Sequence, residues 1–137
     1  MLAALKWAVK NPSVHSTIPS MANTDELEEN LRAMAEPYGP AEEKLLARQL
    51  EYITPFYCRM CGECAGTCAK DLPVADILRH LTYAEGYGQF AVGREEFLKL
   101  GPEVTAVRCR DCARCTVPCS FGVQVAARLS LAQELFA

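Results

Sequence analysis

The chain has no run approaching the roughly 20 apolar residues of a membrane span, although half of its 137 residues are apolar. It has no basic stripe: 14 Lys and Arg stand against 17 Asp and Glu, which argues against a nucleic-acid partner. The first ten residues, MLAALKWAVK, hold lysines but no long apolar core and no cleavage site, so a secretory leader is not expected. Histidine is scarce. His15 and His80 are isolated, and no nucleophile–base pair stands out that could carry catalysis. Eight cysteines are present, and none lies outside two short runs.

Those runs carry most of the information. Cys58, Cys61, Cys64 and Cys68 form the first, and Cys109, Cys112, Cys115 and Cys119 the second. Each reads C-x-x-C-x-x-C-x-x-x-C, the ligand run of bacterial ferredoxins, so two copies predict two 4Fe-4S clusters. A cube presents four irons, and each needs one external thiolate. Three cysteines at i, i+3 and i+6 on a curled loop can reach three corners. In two-cluster proteins the fourth cysteine of each run crosses to the other cluster. The expected ligand sets are therefore Cys58, Cys61, Cys64 and Cys119 for the first cluster, and Cys109, Cys112, Cys115 and Cys68 for the second.

Three other uses of cysteine compete. Zinc prefers two separated C-x-x-C knuckles around one ion. Disulfide frameworks belong to small secreted chains. A thioredoxin-like site needs one C-x-x-C pair, not two quartets. The runs also depart from the usual pattern of proline directly after the fourth cysteine: Ala69 follows Cys68, Ser120 follows Cys119, and Pro118 precedes it. With every cysteine a ligand of an oxidised cube, the formal charge of −3 becomes about −7. Arg108, Arg110 and Arg114 surround the second run against Asp111, whereas Arg59, Glu63, Lys70 and Asp71 mix at the first. Net charge helps to set cluster potential, which favours a higher potential at the second cluster.

The patterning is mainly helical and suggests three segments. Residues 1–39 read as helix, strand, helix. Leu2, Leu5, Ala8 and Val9 recur at helical spacing until Asn11-Pro12. Val14 to Ile18 reads as a short strand. A helix from about Thr24, capped by its hydroxyl, runs to about Ala35 with Leu27, Leu31 and Met34 on one face. Residues 40–57 form a linker and a charged helix striped by Leu45, Leu46 and Leu50. Residues 58–137 form the cluster-binding segment. In it a helix opens at Asp71 and Pro73 and carries Val74, Ile77, Leu78 and Leu81. Gly86, Gly88 and Gly93 interrupt, a short helix covers roughly Glu95 to Leu100, and a last helix carries Val125, Leu129, Ala132 and Phe136. The helical spacer resembles the helical ferredoxin domains of respiratory iron–sulfur subunits more than a small stranded ferredoxin.

The flanks resemble the aldo/keto reductase family. Ala4-Leu5-Lys6-Trp7-Ala8, Ile18-Pro19-Ser20 and Asn23 to Glu28-Glu29-Asn30-Leu31 are similar to the last helix, strand and helix of that barrel. Leu81 to Gly88, Ala106-Val107-Arg108-Cys109 and Ala132 to Phe136 resemble the iron–sulfur tail of some bacterial members. The resemblance implies a remnant of a barrel that needs about 250 residues when whole, with the catalytic Asp, Tyr, Lys and His outside this chain. It also implies adenine contacts at Glu29 and Asn30. Ser20 and Glu26 stand where many members grip a 2′-phosphate with Lys and Arg, and a carboxylate there would repel it.

Two functions follow as expectations. One is an electron-transfer subunit relaying single electrons inside a larger redox complex, with a redox partner covering residues 1–39. The other is the C-terminal part of an iron–sulfur aldo/keto reductase. No catalytic residue is assigned in either. Cluster assembly needs reduced thiols, which suits the cytoplasm; association with a membrane through a partner stays open, as does export if the chain is a fragment.

Overall fold

The computed structural model describes every residue, Met1–Ala137, and is mainly α, with seven α-helices, one 3-10 turn and no strand. The chain divides into two compact units, Met1–Tyr52 and Ile53–Ala137. The segment expected as 40–57 is thus shared between them.

The first unit holds α1 (Leu2–Val9), α2 (Thr24–Ala35) and α3 (Pro40–Ile53), except that Ile53 belongs to the second unit. The cap of α2 is Asn23 rather than the expected Thr24. Asn23 is extended, at φ −150° and ψ 172°, and its Oδ1 accepts the Glu26 N–H at 2.9 Å. Glu26 Oε2 in turn accepts the Ala22 N–H at 2.6 Å. Asparagine three residues before glutamate gives a capping-box arrangement, and Thr24 becomes the first helical residue.

The expected strand at Val14–Ile18 is absent. No neighbouring strand receives its N–H and C=O groups, so the segment runs as irregular backbone and leaves Ile18 96% exposed. The helix–strand–helix remnant implied by the barrel resemblance is therefore two helices joined by a loop.

Helices α1 and α2 pack together around an unusual contact. Lys6 is only 4% exposed, and its Nζ donates to Glu36 at 2.7 Å and to Glu42 at 2.8 Å. A lysine this enclosed needs its partners. The hydrogen bond it donates to Glu36, then that to Glu42, holds the ammonium above the ordinary lysine value of 10.5. The same bonds hold Glu36 and Glu42 below 4.5.

The second unit holds α4 (Val74–Glu85), α5 (Phe90–Leu98), α6 (Pro102–Thr105), the 3-10 turn at Cys109–Asp111, and α7 (Val125–Phe136). Helices α4, α5 and α7 meet pairwise. Their shared core is Leu72, Val74, Ile77, Leu78, Leu81, Phe97, Val123, Val125, Leu129, Ala132 and Phe136. Phe136 is fully buried, with its ring 5.5 Å from that of Phe97 and 5.7 Å from that of Phe90. The stripe Val125, Leu129, Ala132 and Phe136 falls inside as its spacing predicts.

The short helix expected at 95–100 instead begins at Phe90 and ends at Leu98. Gly93 lies within it and is buried, where the sequence suggested an interruption. A Cβ at Gly93 would sit 2.6 Å from the His80 carbonyl oxygen and 3.1 Å from Phe136 Cζ. Glycine therefore marks the close approach of α5 to α4, not a break.

Two outcomes follow. Gly93→Ala gains about 1 kcal/mol of helix propensity but meets backbone that cannot move aside. Overpacking of about 1–3 kcal/mol dominates, and urea unfolding should show a net loss. In the first unit, the lowered Glu36 and Glu42 contribute stability above pH 4.5 that disappears as pH falls through their folded values. The raised Lys6 contributes below pH 10.5 and is lost above its folded value. Lys6→Met should flatten both flanks of the thermal-midpoint profile; a parent profile already flat from pH 3 to 6 would refute the linkage.

Candidate functional site

All eight cysteines lie in the second unit, and none forms a disulfide. They gather around two cavities. The first, about 410 Å³ including its open mouth, is lined by Cys58, Cys61, Cys64 and Cys119 together with Ala75, Leu78, Pro118, Phe121, Val123 and Val125. The second, about 680 Å³ on the same measure, is lined by Cys68, Cys109, Cys112 and Cys115 together with Leu72, Val117, Ala126 and Leu129. Each cavity collects three cysteines of one run and the fourth of the other, the crossed grouping expected from the spacing. No group of three His, Cys, Asp or Glu side chains converges tightly enough to hold a metal ion.

The crossing has a local cause that is repeated in both halves. After Cys68 and after Cys119 the backbone follows the same path. The N–H three residues on, from Asp71 or Gly122, donates back to the cysteine carbonyl at 3.0 or 3.2 Å. Both of those residues have positive φ, 52° and 81°. Next, Val74 N–H donates to Leu72 C=O, and Val125 N–H to Val123 C=O, each at 2.9 Å. The residues that launch the helices, Pro73 and Gln124, share nearly one conformation, φ −74°, ψ 76° and φ −77°, ψ 67°. Each fourth cysteine is thus delivered at the foot of a helix, and α4 packs on α7.

The loops holding the first three cysteines differ. The first turns through positive φ at Met60, Gly62 and Gly66, and the Met60 N–H donates to Cys58 Sγ at 3.5 Å. The second starts as the 3-10 turn at Cys109–Asp111. Here the Cys109 N–H donates to Gln133 Oε1 of α7 at 2.8 Å. Three side chains tie the runs together: Thr116 Oγ1 donates to Thr67 C=O at 3.1 Å, Ser120 Oγ to Glu63 Oε2 at 2.6 Å, and Lys70 Nζ to Arg108 C=O at 3.0 Å. Ser120 occupies the place where the usual run has proline, and its hydroxyl makes one of these ties. These residues carry no signal in a ligand-spacing pattern, except that a serine in a proline position invites the question of what its hydroxyl does.

The thiols are not equivalent. Burial first, then the neighbouring Cys58 thiolate, pushes the Cys64 thiol above 9.0. Burial, then Cys68, does the same at Cys109. Cys61 and Cys115 are exposed at the two rims. Of the nearby charges, Arg108 spends its guanidinium on the Thr105 and Val107 carbonyls, while Arg110 and Arg114 are exposed. Arg59 lies over the Phe121 ring at 4.6 Å.

The histidines join neither cavity. His80 is buried with Nδ1 unpartnered, and burial holds its pKa below 6.5. In the first unit, Glu29 accepts the Leu2 N–H at 3.0 Å, and Asn30 is buried. No protein-family model, curated protein or solved structure matches the chain.

The matched turns make a stability test. An alanine at Gly122 must adopt φ near 81°, which costs about 1–2 kcal/mol for a residue with Cβ. Its Cβ meets only ordinary contact with Thr54 at 3.4 Å, so the loss measured by urea unfolding should fall in that range. Asp71→Gly should be neutral within about 1 kcal/mol, because relief of the turn opposes the added freedom of the unfolded chain.

Proposed function

We propose that the chain carries two 4Fe-4S clusters and relays single electrons through them as a component of a larger redox assembly. The observation carrying this reading is the sorting of eight free thiols into two cavities of four, each drawn from both runs. The donor set fits the cofactor. Sulfur-only sites suit Fe–S clusters, Zn and Cu(I) rather than oxygen-loving ions. A single zinc needs four sulfurs at about 2.3 Å from one centre, usually from two separated C-x-x-C knuckles, whereas each run here has three closely spaced cysteines before the fourth. Four thiols spread around a cavity fit a cube better. This supports a helical, ferredoxin-like reading of the second unit.

In this proposal Cys58, Cys61, Cys64 and Cys119 hold one cluster, and Cys68, Cys109, Cys112 and Cys115 the other. When bound, each cluster supplies a centre that accepts and returns one electron. The chain does the rest. Leu78, Val123 and Val125 line the first cavity, and Leu72 and Leu129 the second, with apolar carbon; water is kept from the sulfurs on that side. The Met60 N–H offsets thiolate charge at Cys58. Cys61 and Cys115 lie at exposed rims, where an electron can enter or leave by contact with a partner.

No residue of this chain is proposed as catalytic, so substrate chemistry belongs to a partner. The first unit leaves Trp7, Ile18, Leu31 and Met34 more than half exposed, which supports a redox partner or larger complex covering residues 1–39. The same exposed faces favour a second reading, in which the chain is part of an iron–sulfur aldo/keto reductase and the missing neighbour is its catalytic barrel. Eight unbridged thiols suit a reducing compartment such as the cytoplasm. No helix is long and apolar enough to cross a membrane; association with one would run through a partner.

Anaerobically purified protein should contain about eight irons and eight sulfides per chain; zinc, or four irons, overturns the proposal. The pairing is tested by EPR of the reduced protein. Cys61→Ser and Cys119→Ser should perturb one signal, and Cys112→Ser and Cys68→Ser the other. If Cys61→Ser groups with Cys68→Ser instead, each run keeps its own cluster.

A further inference from the structure

The two halves that deliver the fourth cysteines differ at a helix position that bears on a cysteine run. Gln133 of α7 is 4% exposed. Its Oε1 accepts the Cys109 N–H at 2.8 Å, while its Nε2 is buried without a hydrogen-bond partner. Fourteen residues after Cys68, the position matching Gln133 in the other half is Thr82, and its hydroxyl donates to the Leu78 carbonyl of its own helix at 2.9 Å. The second run therefore has a buried amide beside its first cysteine, and Thr82 brings none to the first run.

An amide N–H buried without a partner costs about 1–3 kcal/mol, so its acceptor is worth identifying. The bond from the Cys109 N–H to Oε1 holds the carboxamide next to Cys109, with Nε2 buried and unpartnered beside it. A neutral thiol is a weak acceptor, but a ligating thiolate is a strong one. Oε1 is already engaged by the Cys109 N–H, which fixes the carboxamide and leaves Nε2 as the free end.

We propose that Gln133 donates an N–H···S hydrogen bond to the Cys109 thiolate and thereby raises the reduction potential of the second cluster relative to the first. This rests on the two-cluster reading above. An added electron makes the cluster and its sulfurs more negative, so a donor to sulfur stabilises the reduced state more than the oxidised one. No bond forms or breaks: one electron enters from a reductant such as dithionite and leaves to an oxidant. Gln133 touches a ligand rather than a substrate, and its role is positioning and tuning.

Gln133→Met keeps length and apolar fit but removes both N–H groups. The test is an EPR-monitored redox titration of Gln133→Met beside the parent protein, after iron and sulfide analysis of both. The two signals are assigned by Cys112→Ser and Cys61→Ser. The expected result is a lower midpoint for the Cys109-bound cluster, an unmoved midpoint for the other, and unchanged iron content. An iron-replete variant with both midpoints unmoved overturns the inference while the two-cluster reading stands. A parent protein without iron and sulfide overturns both. If the variant does not assemble its second cluster, the parent protein labelled with 15N at glutamine side chains decides. Hyperfine coupling of that 15N to the reduced second cluster supports the hydrogen bond, and its absence refutes it.

Discussion

The second unit depends on the packing of α4 against α7, because each of those helices starts a few residues after the last cysteine of a run. Cys68 and Cys119 are followed by the same turn, with an apolar residue four and six positions on: Leu72 and Val74, then Val123 and Val125. All four side chains are in the core. Once that core forms, the register of Cys68 and Cys119 is settled by hydrophobic packing rather than by the cysteines themselves. Five of the eight cysteines, Cys58, Cys64, Cys68, Cys109 and Cys119, pack against it. The other three, Cys61, Cys112 and Cys115, do not pack against it.

A core of eleven buried side chains is small for a unit that must also hold two long loops. Domains of this size commonly rely on a metal or other staple as well as apolar burial. The side-chain ties Thr116 to Thr67, Ser120 to Glu63 and Lys70 to Arg108 supply part of that function. Two are exposed to water, which weakens what each contributes. They orient the loops more than they stabilise them. Crossed ligation would close both loops through strong metal–sulfur bonds, and a single architecture would then serve folding and electron transfer together.

Much of this was legible in the sequence, for reasons that differ by element. The stripe from Val125 to Phe136 and the helix from Val74 were readable because an amphipathic period on a buried helix has one good solution. The spacing, together with the crossing habit of two-cluster ferredoxin runs, suggested which cysteines would line a common cavity. The strand at Val14–Ile18 was misread because a strand is not a local object: β-branched residues suit one, but only a neighbour can complete it, and none is present. Gly93 was misread because a glycine needed for close helix contact looks the same in sequence as one that ends a helix. Gln133 gave no signal, since a glutamine on an apolar stripe acquires meaning only through the loop that folds back onto it.

The first unit follows a different logic. Its most enclosed long side chain is a lysine rather than a leucine: Lys6 is 4% exposed, whereas Leu27, Leu31 and Met34 are 42%, 55% and 79% exposed. A helix pair that buried its own apolar stripe would show the reverse. The ion pairs of Lys6 with Glu36 and Glu42 can hold α1 near the start of α3 without using that stripe. The apolar side chains of α2 are thereby left free. Burial of such a surface is worth roughly 25 cal/mol per Å². The exposed side chains of α2 are therefore the part of the first unit where covering apolar surface would add most stability.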